Sequence, residues 1–561
     1  MDTIKQGNKE FVKRFEDICE KYADKTAITY MRNDDSKTLF TFGELFKHIS
    51  AVKEKIVDAG LRSGDRAAVI APHSPFAIIT GLALPYTGIT TVPIDAALPI
   101  EEINRLLENA DVRAVFTLSE INDDLDKALI MDIPVFNIST IAENLVVFKC
   151  SIATVKKNST IDPHIDVIAM LYSSGTTATV KGVMITYSSI LLMIPMWEHW
   201  SKFTNKSRLL SVFPYNHIAG YACLMGYILN HVEIGLIEDM EPSKLAKGLL
   251  LYAPTHFAMV PRVYEIIEQK IKQSIKAKGF AIEAVLSMLM GYVKFSRKVL
   301  GINKEGTSLL KSVTRQVFGQ NIFALISGAA PCKASTADYY LKLGFGWSNT
   351  YATTETGVPI AGTGALDRYP VDTVGHVEHF SGIEIKIHAP DENGIGEIRV
   401  KTVLIMKGYF RDPELTAAAF DEDGYFKTGD LGYIDKKGYL HVTGRIKEAI
   451  MLHTGKKIAP NDVDVLYSSL CPDIMIASCG VSNKDESYDV IHLFVESGNL
   501  SDKDQQEIEK RIMEFSAETS TLYQIAGLHF IDKLPTTSVG KVKRFQLKEI
   551  ALAEHLGGSA R

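Results

Sequence analysis

One short run of the chain combines the residue types that hold a polyanion. Leu171–Val183 reads LYSSGTTATVKGV, in which hydroxyl side chains and a glycine stand together and Lys181 follows Thr177 by four positions. Small hydroxyl residues let backbone N–H groups and Oγ atoms converge on phosphate oxygens, and a lysine adds a point charge. The run does not match a Walker loop, because Val180 stands where that loop has its second glycine. It indicates either a different phosphate grip or a polar surface turn.

Four further blocks downstream carry side chains that could act on a charged ligand. Each block alone is more simply explained as a turn or a solvated charge. Their fixed order along the chain is what makes them informative. The blocks are Thr350–Gly357 (TYATTETG), Tyr425–Asp430 (YFKTGD), Gly444–Glu448 (GRIKE) and Pro535–Arg544 (PTTSVGKVKR).

Composition excludes several classes of protein. The 561 residues are too many for one core, and the net charge of −6 does not favour a nucleic-acid partner. The six cysteines form no C-x-x-C pair, which argues against a zinc site or a disulfide framework and fits a reducing compartment. The first residues read as a charged amphipathic helix, and the longest uncharged stretch, 67–94, holds four prolines. We therefore expect no membrane span and a cytoplasmic location.

The first phosphate-binding candidate follows directly on a strand-like segment. Helical and strand-like patterns alternate through the first 160 residues, and the strand pattern 166–172 (DVIAMLY) runs into the hydroxyl-rich run. Such alternation predicts mostly parallel sheets covered by helices. In open α/β sheets ligands bind at the carboxyl ends of the strands. The candidate loop should therefore lie at a ligand-binding edge.

Pattern changes divide the rest of the chain. A long helical pattern covers 261–300, a buried strand 322–327, and short strands with turns 375–440, which indicates a small barrel or an antiparallel sheet. A second α/β pattern begins after Arg445. We expect an α/β fold whose N-terminal domain, 1–445, has helix-covered, mostly parallel sheets and a small β-barrel-like subdomain, followed by a small α+β domain. The expected ranges are 1–165, 166–374 and 375–445 for the subdomains and 446–561 for the C-terminal domain.

The ordered motifs resemble those of the acyl-adenylate-forming enzymes, the superfamily of acyl-CoA synthetases, amino-acid adenylation domains and luciferases. The resemblance runs from Phe40–Leu45 (FTFGEL) to Arg544. It implies that a carboxylate is joined to the α-phosphate of ATP with release of pyrophosphate, and that the acyl group then passes to a thiol. The implied cofactors are ATP, Mg²⁺ and coenzyme A, or the phosphopantetheine of an acyl carrier protein.

The resemblance also implies roles for individual residues. Lys541 would bridge the substrate carboxylate and the α-phosphate, Glu355 would bind Mg²⁺ with Thr176 as a second ligand, and Thr354 would donate to the α-phosphate. Lys447 would be the hinge of a mobile C-terminal domain. The β- and γ-phosphates would be held by Ser173, Ser174, Gly175, Thr176, Thr177 and Lys181. Adenosine would be held by Gly328, Ala329 and Ala330 beside the base, Tyr351 stacked on it, Asp430 on the ribose hydroxyls and Arg445 on the ribose or phosphate.

The chain departs from the family's pattern at five positions. Ala178 and Val180 replace a glycine and a proline of the phosphate loop. Tyr187 replaces a histidine that commonly follows the loop, and Thr350 and Ala352 replace the two glycines of a Gly-Tyr-Gly run before the Thr-Glu motif. The retained hydroxyls and Lys181 predict activity, while Thr350 and Ala352 add side-chain bulk near the nucleotide and the acyl entrance.

The acid side of the site is predicted from three segments. Phe213–Gly220 (FPYNHIAG) matches the family's aromatic-histidine segment, where His217 or a neighbouring aromatic residue gates thiol access, and small residues follow it at Ala219, Gly220, Ala222 and Gly226. These small residues leave room for an alkyl chain or permit close helix packing. Residues 254–264 and 455–460 resemble the fatty acyl-CoA synthetase branch, so we expect a medium- or long-chain fatty acid.

The acceptor stays open between coenzyme A and an acyl carrier protein, since both present the same thiol arm. Lys543 and Arg544 could meet a nucleotide phosphate or an acidic carrier helix. A non-catalytic nucleotide-binding scaffold is a third hypothesis, which the retained Lys181, Glu355 and Lys541 argue against. Contact with a membrane surface, without a span, also stays open.

Overall fold

The computed structural model describes most of the chain. The described residues are 2–118, 134–142, 145–150, 166–172, 180–239, 241–296, 315–357, 359–365, 367, 369–377, 382–453, 457–471, 474–482, 488–498, 500–537 and 540–557.

A seven-stranded sheet carries the strand that precedes the phosphate-binding candidate. Its interior strands are parallel, and each edge strand is antiparallel to its neighbour. In order across the sheet the strands are Leu145–Cys150 (β7), Val135–Ala142 (β6), Ala114–Thr117 (β5), Arg66–Ile70 (β3), Thr90–Ile94 (β4), Val167–Tyr172 (β8) and Gly182–Thr186 (β9).

A second, eight-stranded sheet is built in the same way. Its interior ladders are parallel and both edges are antiparallel, which confirms the expected mostly parallel sheets. Its strands in order are Ala361–Gly362 (β15), Gly346–Tyr351 (β14), Ala324–Ser327 (β13), His256–Met259 (β12), Arg208–Leu210 (β10), Glu233–Ile237 (β11), Thr26–Met31 (β1) and Lys37–Thr41 (β2).

Helices cover both sheets. Those of the N-terminal 445 residues are Asp2–Lys21 (α1), Phe42–Asp58 (α2), Pro75–Tyr86 (α3), Ile100–Ala110 (α4), Tyr187–Ser201 (α5), Ile218–Ile228 (α6), Pro242–Tyr252 (α7), Pro261–Ala277 (α8), Phe280–Phe295 (α9), Ala334–Lys342 (α10) and Pro413–Ala418 (α11). Nearly every side chain of α3 and α6 is buried, and one hydrophobic cluster joins them to strands of both sheets. A helix that is apolar on all sides is stable only in such an interior.

The expected long helix over 261–300 is two helices where the structure describes it. α8 ends at Ala277 and α9 begins at Phe280, because Gly279 takes a φ of +94° that side chains disfavour. Within the described ranges no helix combines the length and the apolarity that crossing a bilayer requires.

The region after residue 375 is antiparallel. Ile383–His388 (β16), Gly396–Thr402 (β17), Phe426–Ile434 (β18) and Leu440–Arg445 (β19) pair in chain order. Of the two expected arrangements, the antiparallel sheet is the one observed. A 3-10 turn, Ile446–Glu448, follows β19 directly.

The C-terminal residues form a smaller α+β unit with its own hydrophobic clusters. Its strands are Ile450–Met451 (β20), Lys457–Ile458 (β21), Ile476–Ser482 (β22), Asp489–Glu496 (β23) and Ile525–Ile531 (β24), and its helices are Pro460–Ser468 (α12), Asp502–Glu518 (α13) and Arg544–Gly557 (α14).

Candidate active site

The ends of β13, β14 and β19 bring the adenosine-binding candidates to one place. Tyr351 is the last residue of β14, and Asp430 in β18 lies opposite Arg445 at the end of β19. The Tyr351 hydroxyl donates to Oδ2 of Asp430 at 2.7 Å, and Nε of Arg445 lies 3.2 Å from Oδ1. Burial raises the pKa of Asp430, while the Arg445 cation and the Tyr351 hydrogen bond oppose that rise. Tyr351 thus orients a buried carboxylate, a contact that the sequence did not indicate.

The turn that follows β13 places backbone groups at the same strand ends. Gly328 packs closely on β14, since a Cβ there would lie 2.6 Å from Oγ1 of Thr350. Ala329 is exposed and has a φ of +65°, which is uncommon for a residue with a side chain. Strain of this kind clusters at ligand sites.

Lys541 reaches this group from the C-terminal unit. Burial lowers its pKa and the Arg445 cation lowers it further, whereas the Glu448 and Asp430 carboxylates oppose the change. The loop that carries it is closed by Thr537, whose N–H donates to the Lys541 carbonyl at 2.8 Å and whose Oγ1 accepts from the Lys541 N–H at 3.1 Å. A Cβ on Gly540, whose φ is +75°, would lie 3.9 Å from Val260 of the N-terminal domain. The loop therefore rests against the large domain.

His217 lies close enough to Lys541 to feel its charge. Its Nδ1 accepts a hydrogen bond from the Ala219 N–H at 3.1 Å and so caps the start of α6. Burial, followed by the Lys541 cation, lowers the pKa of His217 to about 4. The ring is therefore neutral at pH 7, and because Nδ1 accepts, its proton sits on Nε2.

An apolar cavity of about 60 Å³ opens beside His217. Its wall combines the start of α6 with the ends of β12, β13 and β14, and Trp197 of α5 closes one side. It is lined by Trp197, Phe213, His217, Ile218, Ala219, Ala222, Cys223, Ala258, Ile326, Gly328, Ala329, Thr350, Ala352, Gly357 and Pro359.

The small residues of α6 serve both functions that the sequence left open. Ala219 and Ala222 line the cavity. Gly220 and Gly226 instead permit close packing, because a Cβ would lie 2.0 Å from the Pro214 carbonyl oxygen and 2.8 Å from the Trp197 ring, respectively. Trp197, which had no signal in the sequence, is thus held against α6 as part of the cavity wall.

Glu355 lies in a turn with dense internal hydrogen bonds. Thr353 and Thr356 exchange hydrogen bonds between side chain and backbone at 3.0 and 3.2 Å, and the carbonyl of Thr354 accepts from the Gly357 N–H at 3.1 Å. Oε1 of Glu355 accepts a hydrogen bond from the Tyr409 hydroxyl at 2.9 Å. The carboxylate is therefore held in one orientation by a residue 54 positions away in the chain.

Tyr409 also contacts the end of the phosphate-binding candidate. Lys181 Nζ lies 5.5 Å from the centre of the Tyr409 ring. The backbone of Tyr409 also forms an isolated antiparallel β-bridge with Val183 of β9. Ser173, Ser174, Gly175, Thr176 and Thr177, together with Ala178, lie outside the described residues. The strands β8 and β9 nevertheless fix where that loop leaves and re-enters the sheet.

Two departures from the family's pattern have structural roles. Val180 packs on the hydrophobic cluster of the seven-stranded sheet. Tyr187 is buried at the start of α5, where its hydroxyl donates to the Pro85 carbonyl at 2.8 Å. Tyr187 is therefore part of the core, and Val180 is partly buried against it.

The Glu355 carboxylate is a suitable protein ligand for Mg²⁺. Where the structure is described, no three His, Cys, Asp or Glu side chains cluster as a metal site. An ion held mostly by nucleotide phosphate oxygens needs only one or two protein oxygens. A carboxylate fixed by Tyr409 can supply one.

Arg544 is not available to an incoming ligand in this arrangement. Its Nη2 lies 2.6 Å from Oδ2 of Asp464 and its Nε lies 3.5 Å from Oε2 of Glu448, and its side chain is 9% exposed. The expectation that Arg544 meets an acceptor is therefore wrong for this arrangement. Lys447, in contrast, is exposed in the 3-10 turn that directly follows β19.

Solved structures with this fold bind adenine nucleotides. ATP-bound MatB from Rhodopseudomonas palustris superposes with a TM-score of 0.72 over 96% of this chain and 98% of that one, at 22% identity. An AMP complex of O-succinylbenzoate coenzyme A synthetase from Bacillus subtilis gives 0.70 over 95% and 98%, at 20% identity. At these identities the likeness shows the fold alone.

Two relatives that are similar in sequence are both named long-chain-fatty-acid–CoA ligases. A long-chain-fatty-acid–CoA ligase of Bacillus subtilis is 25% identical over 588 aligned positions, covering 98% of this chain and 96% of that enzyme. The ligase FadD15 of Mycobacterium bovis is 27% identical over 471, covering 78% and 74%. The model of the AMP-binding enzyme family matches residues 15–410. The chain therefore belongs to the AMP-binding enzyme family.

Proposed function

We propose that the protein activates a fatty acid with ATP, forms an acyl-AMP with release of pyrophosphate, and transfers the acyl group to the thiol of coenzyme A with release of AMP. The placement of Lys541 carries this proposal. The charges of Asp430 and Arg445 act on Lys541 of the C-terminal unit, whose own charge acts on His217, and His217, Gly328 and Ala329 line an apolar cavity; these observations support the proposal. A carboxylate held there has its reacting end beside a cation and its alkyl end in the cavity.

The nucleotide would be held from two sides. Asp430, oriented by Tyr351 and Arg445, would accept hydrogen bonds from the ribose hydroxyls, and Arg445 would contact the ribose or phosphate. The backbone of Gly328, Ala329 and Ala330 would border adenine, with Tyr351 beside it. Lys181 would contact the outer phosphates together with the hydroxyl residues of 173–177.

Adenylation requires that an anion attacks a polyanion, so the site must offset negative charge where the new bond forms. Lys541 would donate to the acid's carboxylate and to the α-phosphate, and Thr354 would donate to the same phosphate. A bound Mg²⁺ ion would neutralise phosphate charge, with Glu355 and Thr176 as its protein ligands.

Thiol transfer needs a different set of groups at the same carbonyl. We propose that the C-terminal domain, 446–561, turns about Lys447 after adenylation and withdraws Lys541. His217, neutral and carrying its proton on Nε2, would then border the path of the thiol. A conformational step of this kind lets one site serve two incompatible reactions.

The acid is assigned from the cavity and the relatives together. The lining is almost wholly apolar, which suits an alkyl chain. The relatives described above are named long-chain-fatty-acid–CoA ligases, which favours a fatty acid as substrate and coenzyme A as acceptor.

The test uses acid-dependent ATP–pyrophosphate exchange with a series of straight-chain acids. The wild-type protein should catalyse exchange with fatty acids, and Lys541→Ala should lower it at least about a hundredfold, since a charge-stabilising donor is lost. Lys533→Ala is the matched control, because Lys533 is an exposed lysine of the same domain. Exchange that is equal in Lys541→Ala and the wild type would overturn the assignment.

The acceptor is tested in a second assay. One acid, ATP and Mg²⁺ are supplied with either coenzyme A or a holo acyl carrier protein, and thioester yield is compared. Loading of the carrier without coenzyme A product would replace the proposed acceptor.

A further inference from the structure

Helix α9 turns apolar side chains toward solvent. Leu286 and Val293 are its buried residues, whereas Phe280, Met288 and Phe295 are 84, 68 and 55% exposed. Large apolar side chains that are exposed together, unlike ones scattered singly, mark an interaction surface.

The exposed residues form one face. At about 100° per residue, Phe280, Ala284, Met288 and Phe295 fall within a quarter turn of the helix. They lie opposite Leu286 and Val293, which pack on the hydrophobic cluster of α8 and α10. A surface helix ordinarily carries polar residues on the side away from the core. We call these four outward residues the α9 face.

Lysines border the α9 face. Between residues 270 and 294 the chain has five lysines and one glutamate, although the whole protein has a net charge of −6. The α8–α9 turn places Lys276 and Lys278 directly before Phe280, and both are exposed, as is Lys270 on α8. Lys272 and Lys294 instead pair with Glu268 and Asp338 at 2.5 and 3.3 Å. An apolar helix face with a lysine border fits an anionic lipid surface, where the lysines contact phosphates and the apolar side chains enter the acyl boundary.

We propose that the α9 face docks on the surface of a bilayer that contains anionic phospholipid. The docked helix lies in the plane of the interface, with Phe280, Met288 and Phe295 below the headgroups and Lys276 and Lys278 among them. A second copy is a poorer occupant. Lys276 and Lys278 at the start of the helix would meet no acidic residue on the α9 face of a second copy, whereas lipid phosphates would pair with both.

Docking would also bring the apolar cavity beside His217 close to the bilayer. Ala258 at the end of β12 lines the cavity, and α8, against which α9 packs, begins three residues later at Pro261. This inference goes beyond the proposed function. It is tested without ATP, acid or coenzyme A, so its failure and that of the proposed function are distinguishable.

Vesicle co-sedimentation of the full chain provides the first test. The wild type should bind vesicles of phosphatidylglycerol mixed with phosphatidylcholine, bind phosphatidylcholine alone more weakly, and lose affinity as salt is raised. Met288→Asp with Phe295→Asp should weaken binding at least about tenfold. Leu39→Asp with Val403→Asp is the matched control, because these side chains are 56 and 66% exposed elsewhere and should leave binding unchanged. Circular dichroism checks that both double variants fold.

A site-specific reporter provides the second test. The three native tryptophans, Trp197, Trp200 and Trp347, are buried, so a tryptophan introduced by Met288→Trp reports its own surroundings. Its emission should shift to the blue on anionic vesicles, whereas that of Val403→Trp should not. Wild-type protein that does not sediment, or an α9-face variant that binds like the wild type, overturns the proposal. Loss of a dimer in the variant with unchanged vesicle binding assigns the face to a second copy instead.

Discussion

Tyr409 donates a hydrogen bond to Oε1 of Glu355 at 2.9 Å, and the same ring lies 5.5 Å from Nζ of Lys181. One side chain thus links the proposed magnesium ligand to the lysine of the proposed phosphate loop. The link is anchored in the backbone, because the Tyr409 N–H donates to Oγ1 of Thr416 at 2.9 Å and the Met406 N–H donates to the Glu355 carbonyl at 2.7 Å.

Tyr409→Phe should weaken magnesium binding while leaving Lys181 in place. The substitution removes the hydrogen bond to a carboxylate, worth about 1.5–3 kcal/mol, but retains the ring. We expect the Mg²⁺ concentration for half-maximal adenylation to rise roughly tenfold or more, and calorimetry to show weaker binding of MgATP. Tyr425→Phe is the control, since Tyr425 donates to Glu384 at an exposed position. An unchanged Mg²⁺ requirement would contradict the role of Tyr409.

His217→Asn should make the protein less sensitive to acid. The unfolded imidazole binds a proton near pH 6.5 and the folded one only near pH 4. The stability that comes from keeping the ring neutral is therefore complete above pH 6.5 and is lost as the pH falls toward 4. The wild type should lose about 2 kcal/mol of unfolding free energy at this site between pH 7 and pH 5.

Asparagine can still accept a hydrogen bond from the Ala219 N–H as a helix cap. The variant therefore removes the titrating imidazole and keeps the cap. Urea unfolding at the two pH values measures the difference. His388→Asn, at an exposed position of β16, should show the full acid loss of the wild type. An equal loss in His217→Asn would show that this histidine does not drive it.

Ala222→Leu should shorten the acids that the enzyme accepts. The added side chain enters the apolar cavity that Ala222 lines and competes with the alkyl chain, at about 1–3 kcal/mol per displaced methylene. We expect KM to rise at least about tenfold for long acids and little for short ones, measured by pyrophosphate release. Ala77→Leu, a buried position of α3 outside the lining, should lower stability without changing the preference. Equal losses for every acid in Ala222→Leu would place the alkyl chain elsewhere.

Arg544→Gln should destabilise the C-terminal domain. It leaves the carboxylates of Asp464 and Glu448 without their buried cation, and breaking such a pair costs about 3–5 kcal/mol. Adenylation should fall as well, because Lys541 lies in the loop that leads into Arg544. Urea unfolding followed by circular dichroism measures the first effect. Arg511→Gln, at an exposed position of α13 whose guanidinium donates to the Leu470 carbonyl at 3.1 Å, should change stability by less than about 1 kcal/mol.

Local patterns predicted most of the fold. The strand patterns at 166–172 and 322–327 correspond to β8 and β13, and the short strands expected over 375–440 form the antiparallel sheet. The break at Gly279 was not predicted, since the apolar pattern continues across it and only the positive φ reveals the turn.

The candidate site was predicted by motif and not by contact. The order of the motifs along the chain predicts that Asp430, Arg445 and Lys541 belong to one site. In the structure these three residues interact through their charges. Tyr409, Glu448 and Trp197 were missed, because each acts through a partner that is distant in sequence or through its place in a cavity wall. The misjudged Arg544 shows the same limit, since its carboxylate partner Asp464 lies 80 residues earlier.

The Tyr351–Asp430 hydrogen bond has a mechanical consequence. Tyr351 ends a strand of the eight-stranded sheet, and Asp430 belongs to the antiparallel sheet β16–β19. A nucleotide seated on both residues would fasten one sheet to the other, so local opening of the antiparallel sheet would cost the binding free energy as well. Amide exchange in β16–β19 and in β13–β14 would then slow together when ATP is added, and the two sheets would unfold as one cooperative unit.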